Sequence, residues 1–329
     1  MSDLNLGQVA TITARNRQAP FQYQVQDYHP FTMAMKANGG IGKKSGGRDI
    51  LERFAFQSTG TAAWMPENGE IALTQRQLAD AAAFNWYYGG ASYTIGGPEQ
   101  RNNKGEHAYT DVVTLKQTVV EEEMTNIYHS GVLSAGASAN QLPGIQVLVS
   151  KTPATGSLGG ITLSGASFFQ NFDFDTSADW SDGGSVDASN VKRFLSKLLN
   201  ATTYQGKKRF GIMGDTHYEF LEQALQAHQR VAKTDDGVGQ THDYLTYRGV
   251  KFYFGGGVNF SGESQLQDDL TYVLTPGEGH LKIYFHEDAE FKFLPQVNAR
   301  NQDAFTVLCI LQMAFTVNRR KLQAVGYDS

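Results

Sequence analysis

The stretch that most constrains this chain is "AFTVLCILQMAFTV", residues 304–317. Phe305, Val307, Cys309, Leu311, Met313, Phe315 and Val317 are apolar at every second position, and the polar Thr306, Gln312 and Thr316 all fall between them. A two-residue period puts the odd side chains on one face of an extended strand. A membrane-spanning helix would need roughly 20 uninterrupted apolar residues, which this run does not supply. It is therefore expected to be one strand, about twice the usual ~5–6 residues. Burying its apolar face contributes roughly 10–20 kcal/mol gross, an upper figure because unfolded chains are already partly compact. A strand this long needs a long sheet to receive it. Where the run stops, at Asn318-Arg319-Arg320-Lys321, the basic residues read as an exposed end or a charged edge.

Composition narrows the function classes. Charged residues make up 19% of the 329, and the formal net charge is -5, which disfavours non-specific grip on nucleic acid. Glycine, at 35 residues, is about a tenth of the chain, favouring turns over helical bundles. The single cysteine, Cys309, allows no internal disulfide, and the opening "MSDLNLGQVATITARNRQ" has no apolar secretion core; both point to synthesis in a reducing, intracellular compartment.

Along the chain, residues 1–47 are polar and Gly-rich, ending in "NGGIGKKSGG", and read as an arm ordered only by contact with something else. From Arg48 to Lys104, short apolar pieces alternate with turns, and Trp64, Phe84, Trp86, Tyr87, Tyr88 and Tyr93 lack a local core. Aromatic residues of that kind bury against another surface, in the same chain or a neighbour. The spacing predicts a helix over about Glu106–Leu133, with Ala108, Val112, Leu115 and Val119 as its stripe, continued by Val120, Met124 and Ile127. The acidic triplet Glu121, Glu122 and Glu123 reads as its solvated face. "IQVLVS" and "TGSLGGI" read as strands and turns, and a second helix near Asp187–Asn200 carries Val191, Phe194, Leu195, Leu198 and Leu199 on one side. Strands are expected at "VKFYF", "LKIYF" and "FKFLP". Mixed helices and strands without a regular βαβ alternation argue for an α+β fold.

The one enzymatic signal is "GIMGDTHYE", where Asp215 and His217 resemble the first metal motif of calcineurin-like phosphoesterases. Two-metal hydrolysis needs further carboxylates, histidines and an asparagine, and no downstream Gly-Asn-His follows. Thr216 and Glu219 have the spacing of a capping box, which is the preferred reading of this motif. "NGGIGKKSGG" lacks phosphate-loop spacing, and there is no Gly-x-Ser-x-Gly elbow. The sequence therefore predicts no catalytic residue, metal or cofactor.

The order of these segments resembles the major capsid proteins of tailed bacteriophages, which share the Hong Kong-type fold with herpesvirus shell floors and encapsulins. "RDILERFAF" looks like the lead into that family's extended loop, "LADAAAFNWYY" like its returning limb, and "TIGGPEQRNNKGEHAYTDVV" like the passage into a spine helix. "LPGIQVLVSKTPATGSLGGI" resembles the Gly-rich segment after that helix. "KRFGIMGDTHYEFLEQALQAHQRV" is similar to a strand–helix ending near Arg230, and the closing segment is similar to the terminal strand.

The resemblance implies a Hong Kong-type phage capsid fold with an N-terminal arm (1–47), an extended loop (48–104), a peripheral domain with spine helix (105–140), an axial domain (141–274) and a peripheral return with the long strand (275–329). It implies a structural subunit that assembles with itself as hexamers and pentamers into an icosahedral shell around double-stranded DNA, without sequence-specific binding and with no membrane. The shell would be made in the host cytoplasm and end in the virion. A separate scaffolding protein, a portal protein and a decoration protein are the other expected partners. Assembly contacts are expected at Trp64, Phe84, Trp86, Tyr87, Arg230, Arg319 and Arg320. An encapsulin-like compartment and, more remotely, a metal phosphoesterase are the alternatives. Some relatives cross-link a lysine of the extended loop to a neighbour's asparagine, but Asp49–Asn103 contains no lysine.

Overall fold

A computed structural model describes residues 29–67, 69–70, 75–102, 112–136, 140–180, 184–203, 208–226, 244–255, 266–295, 297–298 and 302–328. The first 28 residues of the expected arm, Ala108 and Arg230 lie outside them.

Helix α1 (Pro30–Ala37) opens with Pro at its first position, where the missing N–H costs nothing. Strands β1 (Ile41–Lys44), β2 (Asp49–Ala55), β3 (Ala79–Asn85) and β4 (Tyr87–Gly96) follow, then the short α2 (Gly97–Asn102). The spine helix, α3, is described over Val112–Leu133. Next come α4 (Ile145–Leu148), β5 (Ser157–Leu158), β6 (Ile161–Thr162), β7 (Phe172–Asp175), α5 (Thr176–Asp179), α6 (Val191–Ala201), β8 (Phe210–Met213) and α7 (Asp215–Gln226). The remainder is strand-rich: β9 (Tyr244–Tyr247), β10 (Val250–Phe254), β11 (Leu270–Leu274), β12 (Leu281–His286), β13 (Lys292–Phe293), β14 (Val297–Asn298), β15 (Ala304–Val317) and β16 (Ala324–Tyr327).

The terminal run is the expected strand, and it organises a mixed sheet. β15 pairs antiparallel with β4 from Ala304 opposite Gly96 to Met313 opposite Tyr87. Its other edge carries β14, β13 and β12 in succession, with β1 parallel beyond β12. Cys309, Leu311, Met313, Phe315 and Val317 are buried, as the period requires, while Leu308 is exposed. Past Met313 the period stops predicting burial, because Ala314 and Thr316 are buried too. The hairpin β2–β3 reaches that end, where the Thr316 hydroxyl donates to Glu52 Oε1 at 3.2 Å.

A second sheet runs β7-β16-β11-β8-β10-β9. Helix α6 packs on it through Val191, Phe194, Leu195, Leu198 and Leu199, all buried, the stripe expected from sequence. Helix α1 joins the sheets: Phe31 meets Phe210 of β8 edge-on at 6.0 Å and Phe315 of β15 at 6.1 Å.

Several expectations are corrected. The end of the supposed arm is core, since Phe31, Ala34 and Met35 are buried and β1 is a sheet strand. "AAAFNWYY" and "SYTIGG" are not all projecting loop, because β4 lies along β15 and under the spine helix. On α3 the buried face is Val120, Met124, Tyr128 and Val132, whereas Ile127 is 50% exposed. Stepping by four from Met124 reaches Tyr128, a residue the apolar stripe had passed over. "IQVL" is the helix α4 rather than a strand. The last residues do not stay with the first sheet: after β15 the chain crosses over and β16 enters the second, beside β7 and β11.

Candidate functional site

The feature that departs most from a self-contained subunit is the β2–β3 hairpin. Its ladder runs from Asp49 opposite Asn85 to Ala55 opposite Ala79. The base is held on several sides. Asn318 Nδ2 donates to Glu52 Oε2 at 3.2 Å and to the Arg53 carbonyl at 3.0 Å. The Ala83 N–H donates to the Gly159 carbonyl at 2.9 Å. Gly159 has φ +59°, and a Cβ there would sit 2.7 Å from Ala82 Cβ, so the β5–β6 turn approaches β3 only because this residue is glycine. Phe54 and Phe56 repeat at the strand period and stack on Phe169 and Phe168, with ring centroids 5.0 Å and 4.5 Å apart.

Beyond the bond from the Phe56 N–H to the Leu78 carbonyl, the described residues of the tip are almost all exposed. Trp64, at 104% of its reference area, touches nothing that shields it, and Met65 and Leu78 are exposed as well. The apolar tip is presented on an anchored base, an arrangement suited to insertion into a partner.

The expected contact residues separate by burial. Trp64 and Arg319 are on the surface, and Tyr87 is half-buried on β4. Phe84 and Trp86 are buried inside their own chain, Trp86 edge-on to His286 at 5.7 Å, and cannot reach a neighbour. Arg320 is likewise corrected. At 1% exposure it lies in the interior, with Nε donating to the Leu148 carbonyl at 2.7 Å and Nη1 to the Phe169 carbonyl at 3.3 Å. Burial lowers its pKa to about 10, still leaving it charged at neutral pH. The adjacent Arg319, identical in type, faces out. Sequence reasoning treated both as one basic edge and missed this strut, which depends on contacts about 150 and 172 residues away along the chain.

Asp215 and His217 do not converge on a metal. Asp215 is exposed at the start of α7, whereas His217 is fully buried. His217 Nδ1 lies 2.9 Å from Thr271 Oγ1, and Nε2 lies 3.8 Å from Asp328 Oδ2. Asp328 also accepts from the Thr176 hydroxyl and from the Val186 N–H. Burial opposes its charge, but the nearby His217 imidazole and the bonds from Thr176 and Val186 prevail and hold the carboxyl below its ordinary pKa. A hydroxyl, an imidazole and a carboxylate in a row have the makeup of a nucleophilic triad. Here Thr271 is buried on the central strand β11, so the row clips the chain end to α7 instead of meeting a substrate. The capping box is corrected as well. The Tyr218 N–H donates to the Gly214 carbonyl, so Gly214 caps α7 and Thr216 lies within its first turn. Among the described residues no three His, Cys, Asp or Glu side chains are grouped to hold a metal, and no helix is long and apolar enough to cross a membrane.

The arrangement of long sheet, spine helix, projecting hairpin and second sheet recurs in known structures. The subunit of the cyanophage A-1(L) capsid superposes with a TM-score of 0.67 over 94% of each chain at 13% identity. This chain has the Hong Kong-type shell fold. The encapsulin complex of Synechococcus elongatus matches with a TM-score of 0.56 at 10% identity, covering 95% of this chain and 94% of that one. The capsid of an empty GTA particle matches with a TM-score of 0.56 at 9% identity, over 94% and 95%. No protein-family model matches the sequence, and no curated protein is similar to it. Near 10% identity, what is shared is the fold.

Proposed function

We propose that this chain is the major capsid protein of a tailed bacteriophage, assembling with itself as hexamers and pentamers into an icosahedral shell around double-stranded DNA. The observation that carries the reading is the hairpin: an apolar tip left wholly exposed on a rigid base by a chain whose fold is that of shell subunits. A closed shell gathers many modest interfaces of this kind at once. The fold is common to phage capsids, GTA capsids and encapsulin compartments, so what the particle encloses is what separates the phage reading from the encapsulin one. In this reading α3 with the β15 sheet forms the peripheral part, and the β7–β16 sheet with α6 and α7 forms the axial part. A scaffolding protein, a portal and a decoration protein are the expected partners, and the mature product resides in the virion.

Electron microscopy of the freshly expressed protein, alone and with a co-expressed scaffold, tests the shell. Closed particles with five-fold vertices are expected, and subunits that stay monomeric in every condition would refute it. Nuclease-treated particles from the native source separate the readings: protected DNA supports a capsid, an enclosed enzyme supports an encapsulin.

A further inference from the structure

The formal charge of -5 is a sum over the whole chain, and it conceals a local excess of the opposite sign. Between Asp187 and Asp215 the sequence has no acidic residue, and the β9–β10 hairpin has none either. The fold brings these stretches together at one end of the second sheet. Strands β8 and β10 run parallel with Phe210 opposite Lys251, so Arg209 and the β9–β10 turn lie at the same end. Arg209 Nη1 donates to the Leu199 carbonyl at 2.7 Å and so closes the C-terminal end of α6. Arg248, in the turn, donates from Nη1 to Asn200 Oδ1 at 3.0 Å, one residue further along the same helix. Burial, and secondarily the charge of Arg248, lowers the Arg209 pKa, which marks the two guanidiniums as electrostatic neighbours. Lys197 is exposed on α6 three residues before Asn200, on the same side of the helix. Among the described residues Lys197, Arg209 and Arg248 form no ion pair.

Arg248 also holds a backbone conformation that suits other residues better. Its φ is +51° and that of Gly249 is +77°, the two-residue hairpin turn that favours Asn-Gly. Phe291 is the one other non-glycine residue with a positive φ among the described residues. An arginine is thus kept where its backbone is strained and its charge sits beside another. A bound anion would offset the repulsion.

The surroundings decide the class of anion. A protein partner needs an apolar anchor amid the charges. Among the described residues no large apolar side chain is exposed on α6, at the start of β8 or in the turn; Tyr244, at the far end of β9, is the nearest along the chain. Arg248 is exposed and spends only Nη1 on the helix, leaving the rest of its fork for a ligand. A guanidinium fork with a lysine beside it matches phosphate oxygens.

We infer that this end of α6 binds the phosphate backbone of a nucleic acid without reading its sequence, with Arg248, Arg209 and Lys197 as the contacts. The site is a property of the subunit, and the inference rests on the shell reading only for the identity of the nucleic acid, the enclosed double-stranded DNA.

Fluorescence anisotropy of a short labelled DNA duplex, added to free subunits, tests it. Three neutralised phosphates predict an affinity that falls roughly 40-fold between about 50 and 200 mM salt, equally for two unrelated sequences. Arg248→Gly removes one contact and suits the turn, so the fall should shrink to roughly 12-fold with stability against urea kept or raised. Lys197→Glu with Arg248→Glu should abolish binding, whereas Lys292→Glu, exposed on β13, should leave it within about twofold. No binding at about 50 mM salt, or an unchanged salt dependence in Arg248→Gly, would overturn the inference. Binding of poly-glutamate in place of the duplex would show that the patch takes an acidic protein and would equally overturn it. Because free subunits are used, failure of the chain to close particles would strike the shell reading alone.

Discussion

His29 and His129 stack face to face, ring centroids 3.3 Å apart and planes within 11°, joining the residue before α1 to the spine helix. Thr32 Oγ1 sits 3.0 Å from His129 Nδ1 and 3.3 Å from the Tyr128 hydroxyl, and Tyr128 in turn packs on Phe285 and Phe291. The titratable groups of this junction are therefore His29, His129 and Tyr128. Burial, and secondarily the neighbouring His29, lowers the His129 pKa from 6.5 to about 2, while burial raises Tyr128 to about 12.

The sign of the resulting pH dependence follows directly. A histidine whose folded pKa is depressed binds more protons when unfolded, so its full stability is present above about pH 6.5 and is lost as pH falls from there towards 2. At pH 5 the loss is about 2 kcal/mol, one and a half units at about 1.4 kcal/mol each. Tyr128 adds no slope in this window. Urea unfolding of the subunit between pH 5 and 7.5 should show this slope, and His129→Gln should flatten it. An unchanged slope in the variant would place the acid sensitivity elsewhere.

Arg319 and Arg320 supply a paired comparison within one dipeptide. Arg320→Ala leaves two interior carbonyls, of Leu148 and Phe169, without donors and opens a cavity, at a cost of about 3 kcal/mol or more. Arg320→Lys keeps a charge but not the fork that reaches both, and should recover only part of it. Arg319→Ala, at an exposed position, should change subunit stability by less than about 0.5 kcal/mol. Equal effects at the two positions would contradict the buried strut.

How much of this was legible beforehand depended on the range of the cause. The β15 alternation and the α6 stripe follow from local period; the α6 stripe is buried throughout, and the β15 face is buried from Cys309 onward, with Phe305 and Val307 half-buried. Burial of Thr316 was not legible, because the hairpin that meets it through Glu52 lies more than 260 residues earlier. The His29–His129 stack, one hundred residues apart, left no sequence signal either. Phe54 and Phe56 did leave one: aromatic residues two apart on a strand share a face, and the pair in "RFAF" is the face that stacks on Phe169 and Phe168. Burial of Trp86 could not be distinguished from burial across a boundary until β4 was seen on β15.

The tip itself can be removed to test its role. Replacing residues 57–77 with a short Gly/Ser linker spares the β2–β3 ladder and its anchors, so the subunit should unfold within about 1 kcal/mol of the unmodified chain. It should nevertheless fail to close shells. The three tryptophans supply a matching optical readout, since Trp86 and Trp180 are buried within the subunit and Trp64 is exposed. Acrylamide should quench Trp64 in free subunits and lose most of that access on assembly. Quenching that is the same before and after would mean the tip stays in solvent.

The absence of lysine from the projecting segment bears on how a mature shell is held. An isopeptide cross-link needs an uncharged amine nucleophile placed against a neighbour's side-chain amide, in a contact dry enough to depress its pKa. Between Asp49 and Asn103 the basic residues are Arg53, Arg76 and Arg101, and a guanidinium stays protonated and reacts poorly. Arg101 is in any case bound to Asp303, at 2.7 Å. The lysines just before the hairpin both have partners within the subunit. Lys43 is ion-paired with Glu290, and Lys44 lies over the Tyr284 ring, 4.3 Å from its centroid. Both belong to β1, in the body of the subunit, rather than to the segment that reaches outward. The shell is therefore expected to be held by non-covalent contacts. Mature particles boiled in detergent should release single chains near 36.1 kDa. A ladder of covalent multimers on the gel, traced by mass spectrometry to a lysine–asparagine bond, would show that a lysine outside the hairpin does this work.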